Sequence, residues 1–258
     1  MACPAAKRVL VVAGIGNGTG TGASTARLFA KNGYNVAIIA RGDSFVQGLA
    51  NEINSSGGEA ASFTVPSYSH DHLTAAWASI HKHFPKPEYT VRAAVFNVAY
   101  GVLRPFLDTT SQEVQESLDT NVGAAFSFAR GAILAFKDNG IEETNGARGT
   151  LIFTGSTGSV RGNVTTSAYA AGKWGSRALS QSLAKEFGQQ NIHIAHSIID
   201  GSILVDRQRE HRSAEWAENE DIRLRPESIA LSYLYLVNQD RSAWTWELDL
   251  RPAHEKLL

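Results

Sequence analysis

The chain has 258 residues, 43% hydrophobic and 19% charged, with 23 Gly and 7 Pro, which suits a folded globular protein and excludes disordered or fibrous classes. A formal net charge of −1 offers no concentrated basic surface for nucleic acid or an anionic membrane, so a small molecule is the expected partner. The single cysteine, Cys3, is expected to be a free surface thiol, and Met1 to Lys7 is too short and too weakly apolar for a signal peptide. No run approaches the roughly 20 apolar residues that span a bilayer, and no metal site is expected. The reading is a cytoplasmic, soluble protein.

Short runs rich in Val, Ile and Ala recur between longer stretches of helical period. Strands are expected at Arg8 to Ala13, Asn35 to Ala40, Glu59 to Val65, Val91 to Val98, Gly149 to Thr154, His193 to Ile199 and Trp244 to Leu250. The crossover helices include Ala23 to Asn32, Ser111 to Phe136 and Ser167 to Phe187. This alternation predicts an α/β fold of Rossmann type: a doubly wound, mostly parallel sheet of seven strands, covered by helices on both faces in three layers. No repeat, low-complexity tract or linker divides residues 1–258, so one domain is expected. The least regular part, Asp206 to Pro226, is dense in charge and reads either as a solvated loop and helix or as a flap over a substrate site, about residues 200–226.

The first strand runs into Gly14-Ile15-Gly16-Asn17-Gly18-Thr19-Gly20-Thr21-Gly22, which leads to the first helix. Glycines at such a turn permit positive φ and close backbone approach to a pyrophosphate, whose charge the free N–H groups of the helix N-terminus stabilise. Strand, turn, helix and second strand complete the βαβ unit that this use requires. Gly16, Gly20 and Gly22 are favoured as the phosphate-facing set, with Gly14 and Gly18 as alternatives. The second strand ends at Ala40-Arg41, where an NAD site would place an acidic residue for the ribose hydroxyls. Arg41 instead suits a 2′-phosphate, so NADP(H) is favoured over NAD(H), while Asp43 nearby pulls the other way.

Tyr169 and Lys173 stand at i and i+4 and so share one helical face. A phenol normally titrates near 10, and a fixed cation beside it favours the phenolate, bringing it within reach of proton exchange near neutrality. Ser156 lies thirteen residues earlier, at the carboxyl end of the Gly149 to Thr154 strand, where ligands of such sheets sit.

With these motifs in order, the chain resembles the short-chain dehydrogenase/reductase family, in its common branch of about this length, and the likeness covers nearly the whole sequence. The glycine-rich turn, Asn97-Val98-Ala99-Tyr100, Asn121, Ser156, and Tyr169 with Lys173 carry it. The resemblance implies an oxidoreductase that interconverts a carbonyl and an alcohol by hydride transfer. Tyr169 would be the general acid/base, and Lys173 would lower its pKa while holding the nicotinamide ribose. Ser156 would orient the substrate oxygen, and Asn121 would support a water-mediated proton relay behind Lys173. Asn97 and Ala99 would flank the cofactor, Gly201 and Ile203 would meet its carboxamide side, and the helices Ser111 to Phe136 and Ser167 to Phe187 would form a homodimer or homotetramer.

Three departures mark a divergent subgroup. Val98 and Tyr100 replace residues of the usual Asn-Asn-Ala-Gly, Val65-Pro66-Ser67 stands where an Asp is common, and Asp200-Gly201 replaces Pro-Gly. Asp200 reads as structural or as tuning the site. Val102, Leu103, Phe106, Val160, Val164 and Trp216 suggest an apolar ligand or simple local packing. A nucleotide-sensing protein without chemistry would have lost Tyr169 or Lys173, and an epimerase or dehydratase relative would need a larger C-terminal substrate domain.

Overall fold

The computed structural model describes residues 6–254; Cys3 lies outside them. Seven strands form one fully parallel sheet: β1 (Lys7–Ala13), β2 (Asn35–Ala40), β3 (Ala60–Thr64), β4 (Tyr89–Phe96), β5 (Gly149–Thr154), β6 (Ile192–Ile199) and β7 (Glu247–Leu250). Their order is β3-β2-β1-β4-β5-β6-β7, so the chain reverses direction across the sheet between β1 and β4. Ligands of open α/β sheets bind in the crevice outside such a switch point, at the carboxyl ends of the strands. The strands are apolar almost throughout because both faces are covered. In β1, Val9, Val11 and Ala13 enter one core while Leu10 and Val12 enter the other.

One face is covered by α1 (Thr21–Lys31), α2 (Asp43–Ser55) and α9 (Pro226–Asn238), which contribute Phe29, Leu49 and Tyr233. The other is covered by α3 (His70–His83), α5 (Ala124–Lys137) and α6 (Ser167–Phe187), with Trp77, Phe128 and Ala184. The expected strand from Trp244 is shorter than its sequence suggested. Trp244 stacks on His193 at 4.9 Å, which takes its indole out of the ladder, and β7 starts at Glu247.

The expected helix from Ser111 to Phe136 is not regular. It consists of α4 (Ser111–Leu118), a π-helical turn over Asp119–Gly123, and then α5. A π turn inserts one residue into the helical ladder and often marks a functional place; here it carries Asn121. The segment after β6 forms α7 (Asp206–His211), α8 (Ala214–Glu218) and a 3₁₀ turn at Glu220–Ile222. Ile203 pairs with Leu224, which ties the two ends of this segment together. Among the described residues, no helix is long and apolar enough to cross a membrane.

Candidate active site

Two groups of residues meet at the carboxyl edge of the sheet. The first is the glycine-rich turn between β1 and α1. Gly14 leaves the strand at φ +89°, and a Cβ there would meet the Val98 nitrogen at 2.8 Å. A Cβ at Gly22, in the first turn of α1, would run into the Gly14 carbonyl oxygen. Gly14 and Gly22 therefore set the close approach of strand and helix. Gly16 and Gly18, at φ +59° and +93°, shape the outward loop, where a Cβ would meet open space.

The turn is pinned from β4. The Asn97 side chain donates to the Gly14 carbonyl at 2.7 Å, and the Gly14 N–H donates to Ile39 at 2.9 Å. Helix α1 has no side-chain cap, since its cap residue is Gly20, and its first turn has no acidic residue. Its leading N–H groups thus carry the positive end of the helix dipole, and the Glu227 carboxylate of α9 accepts from the Ser24 hydroxyl at 3.2 Å. The Thr21 hydroxyl is buried there without a hydrogen-bond partner. Bare backbone donors and missing Cβ atoms fit the pyrophosphate of a dinucleotide.

At the end of β2 Arg41 is exposed, with its guanidinium 5.4 Å from the centre of the Tyr68 ring. Asp43, the rival partner for a ribose, is engaged elsewhere: its carboxylate accepts from the Thr64 hydroxyl at 2.7 Å. A cavity of about 570 Å³ opens beside Arg41, Tyr68, His70, Asp119 and Ser127.

The second group is built on β5 and α6. Helix α6 presents Tyr169 to the end of β5, and its phenol donates to the Ser156 hydroxyl at 2.8 Å. Gly158 makes room for the ring, since a Cβ there would come within 3.0 Å of it. One turn further along, Lys173 is buried and donates to the Thr154 carbonyl at 3.0 Å. Burial lowers the Lys173 ammonium to about 8. The expected lowering of the phenol by Lys173 does not emerge from the chain alone. Burial is the largest influence on Tyr169 and pushes it up, with the Ser156 hydrogen bond opposing. The physical reason is that the ammonium is folded onto a backbone carbonyl while the phenol turns to Ser156.

Asn121 holds the β4 end of the site. Its amide donates to the Tyr100 carbonyl at 2.9 Å and to Ser117 at 3.1 Å, and its oxygen accepts from the Tyr100 N–H at 3.3 Å. Gly172 lets α6 come close to this π turn, because a Cβ there would lie 2.8 Å from the Ser117 hydroxyl and 2.9 Å from the Asn121 amide. Ala99, one residue before Tyr100, is exposed. Gly201 and Ile203 follow β6.

Of the apolar rim residues, Leu103, Phe106 and Val164 are 71%, 75% and 89% exposed, so they are not local packing. Their two loops are tied together by the Arg104 N–H donating to the Thr165 carbonyl at 2.8 Å. Phe106 also lines an apolar cavity of about 470 Å³ that reaches Ala168, next to Tyr169. The segment from Asp206 rests on the glycine-rich turn: the Asp206 N–H donates to Thr19 at 3.3 Å, and Asn17 donates to the Asp206 carboxylate at 3.4 Å.

Three features escaped the sequence reading. Gly14 stood only as an alternative, because a string of alternating glycines has no internal register. Gly172 lies in the interior of α6, and the signal that could have found it is its place between Tyr169 and Lys173. The partners of Asp200 lie about forty and fifty residues away in the chain, at Thr157, Arg161 and Arg251.

A sequence model described as short chain dehydrogenase matches residues 8–216. A 3-oxoacyl-[acyl-carrier-protein] reductase of Mus musculus is 26% identical over 209 residues, which cover 81% of this chain and 82% of the relative. Carbonyl reductase family member 4 of Xenopus laevis is 27% identical over 233 residues, covering 88% and 90%. The crystal structure of a short-chain dehydrogenase from Rhodopseudomonas palustris is 28% identical and superimposes with a TM-score of 0.77 over 95% of this chain and 99% of that one. The chain therefore belongs to the short-chain dehydrogenase/reductase family of oxidoreductases.

Proposed function

We propose that this chain reduces a carbonyl to an alcohol, and runs the reverse oxidation, on a small and partly apolar substrate, with NADP(H) preferred over NAD(H). The observation that carries the reading is the 2.8 Å hydrogen bond from the Tyr169 phenol to the Ser156 hydroxyl at the carboxyl end of β5. Two hydroxyls converge on one point there, and a carbonyl oxygen placed at it would meet both donors.

When bound, the cofactor supplies the hydride. The chain supplies position and the proton. Gly16, Gly18, Gly20 and Gly22, with the N-terminus of α1, receive the pyrophosphate, and Arg41 receives the 2′-phosphate. That preference is supported by the occupation of Asp43 with Thr64. Asn97 and Ala99 flank the cofactor on one side, and Gly201 and Ile203 on the other.

Ser156 orients the substrate oxygen and Tyr169 delivers the proton to it. Burial, which holds the phenol above its ordinary value, keeps that proton in place until it is needed, as reduction requires. Lys173, lowered to about 8, is still largely protonated at neutrality and places a cation behind the proton donor. Asn121 braces the Tyr100 loop and backs Lys173 in proton exchange with water.

The exposed Leu103, Phe106 and Val164 support an apolar substrate, and the segment of residues 206–226 serves as the flap above it. Exposed Val114, Leu118, Phe126, Leu134 and Trp174 on α4, α5 and α6 support assembly as a homodimer or homotetramer.

The test is NADPH oxidation with ketones, quinones, aldehydes and steroids, and the reverse reaction with alcohols. Tyr169→Phe is expected to abolish turnover while NADPH binding stays nearly intact. Turnover that survives this substitution would overturn the mechanism.

A further inference from the structure

Asp200 directly follows β6 and carries a carboxylate that is 1% exposed. A buried charge costs several kcal/mol unless it is well partnered, so its partners indicate its use. Its Oδ1 accepts from the Thr157 hydroxyl at 2.6 Å, and its two oxygens accept from the Arg161 guanidinium at 3.1 Å each. Arg251, just beyond β7, donates to Oδ2 at 2.9 Å and is shared with Asp249.

Thr157 and Arg161 are the two ends of the turn that follows Ser156. Inside that turn the Ser156 N–H donates to the Ser159 hydroxyl at 3.1 Å, and the Ser159 N–H returns to the Ser156 carbonyl at 2.8 Å. The Arg161 N–H closes the turn onto the Thr157 carbonyl at 3.1 Å. The turn therefore fixes the backbone of Ser156, and the Asp200 carboxylate clasps both ends of the turn to β6. This clasp needs the charge. A neutral residue would remove the carboxylate whose two oxygens meet the Arg161 guanidinium.

We propose that Asp200 is a positioning residue which, through Thr157 and Arg161, holds the turn that aims the Ser156 hydroxyl at Tyr169. It exchanges no proton and touches no reacting atom. The inference rests on the roles assigned above to Ser156 and Tyr169, yet the geometry it concerns is observable without turnover.

The test uses Thr157→Val, which removes one donor and keeps the branched shape, and Asp200→Asn, which removes the charge at nearly constant volume. Crystal structures of both are expected to show the Ser156 to Tyr169 hydrogen bond, 2.8 Å here, opened past hydrogen-bonding distance. Thr157→Val is expected to lower kcat about tenfold, the loss of one well-aimed hydrogen bond, with the KM for NADPH unchanged. In a Ser156→Ala background the same substitution adds no further loss, since the hydroxyl to be aimed is gone. Thr157→Ser, which restores the donor, is expected to regain most of that tenfold. A hydrogen bond kept at its length in both variants, or a loss fully additive with Ser156→Ala, would overturn the proposal. Should Asp200→Asn fail to fold, Thr157→Val alone decides. A wild-type protein that turns over no carbonyl or alcohol removes the functional reading, while the crystal structures still decide this one.

Discussion

The two halves of the crevice are built in opposite ways. On the β1 side the site is made of backbone, with glycines whose missing Cβ atoms bring strand and helix together, and with N–H groups left bare at the start of α1. On the β5 side it is made of side chains, with Tyr169 donating to the Ser156 hydroxyl and Lys173 to the Thr154 carbonyl. A backbone site tolerates little added bulk, because nothing can rotate away. A side-chain site tolerates bulk at its rim and fails when a donor is misaimed by a fraction of an ångström.

This contrast breaks most sharply at Lys173. Lys173→Met keeps length and removes the ammonium, so kcat is expected to fall by about a hundredfold or more. The melting temperature should hold, because burial already opposes the charge there. A thermal melt alongside steady-state kinetics checks both halves of that statement.

On the backbone side, Gly22→Ala forces a methyl group against the Gly14 carbonyl oxygen, and an overpacked contact of that kind costs about 2 kcal/mol. Gly16→Ala meets open space and bears only the αL penalty of about 1 kcal/mol. Denaturant unfolding should rank the two in that order, and NADPH titration should show lost affinity in the first. Equal effects would erase the distinction between close-approach and loop glycines.

Arg41→Asp is expected to weaken NADPH use about tenfold relative to NADH, the contribution of one charge-assisted contact. Equal loss with both cofactors would count against the 2′-phosphate assignment.

The smallest effect concerns His196, which is fully buried behind Gly155 and lowered by burial from 6.5 to about 3. Because the folded value is depressed, the unfolded chain binds the proton first as pH falls. The neutral ring's contribution is complete above about 6.5 and is lost on descent towards about 3, at a limiting slope of roughly 1.4 kcal/mol per pH unit. Stability of wild type should therefore fall more steeply than that of His196→Asn between pH 6 and 5. Parallel curves in urea unfolding would show that the imidazole is not excluded from charging.

How far the sequence reaches can be read from the same residues. β2 and β5 run over the residues expected from Val, Ile and Ala alone, and α6 spans Ser167–Phe187 as its period predicts, because burial on both faces or on one stripe leaves a local pattern. The Tyr169 and Lys173 pair was visible because four residues return a helix to the same face. The π turn at Asn121 left no such trace; α6 approaches it closely at Gly172.

What the sequence by itself determined is thus the sheet, the glycine-rich turn and the candidate reactive side chains, all set by local periodicity and by residue chemistry. Only the tertiary structure decided which glycines touch, how burial acts on the phenol and which residues partner Asp200. Close approach, burial and partnership between residues far apart in the chain exist only once the strands are in register and the helices are packed.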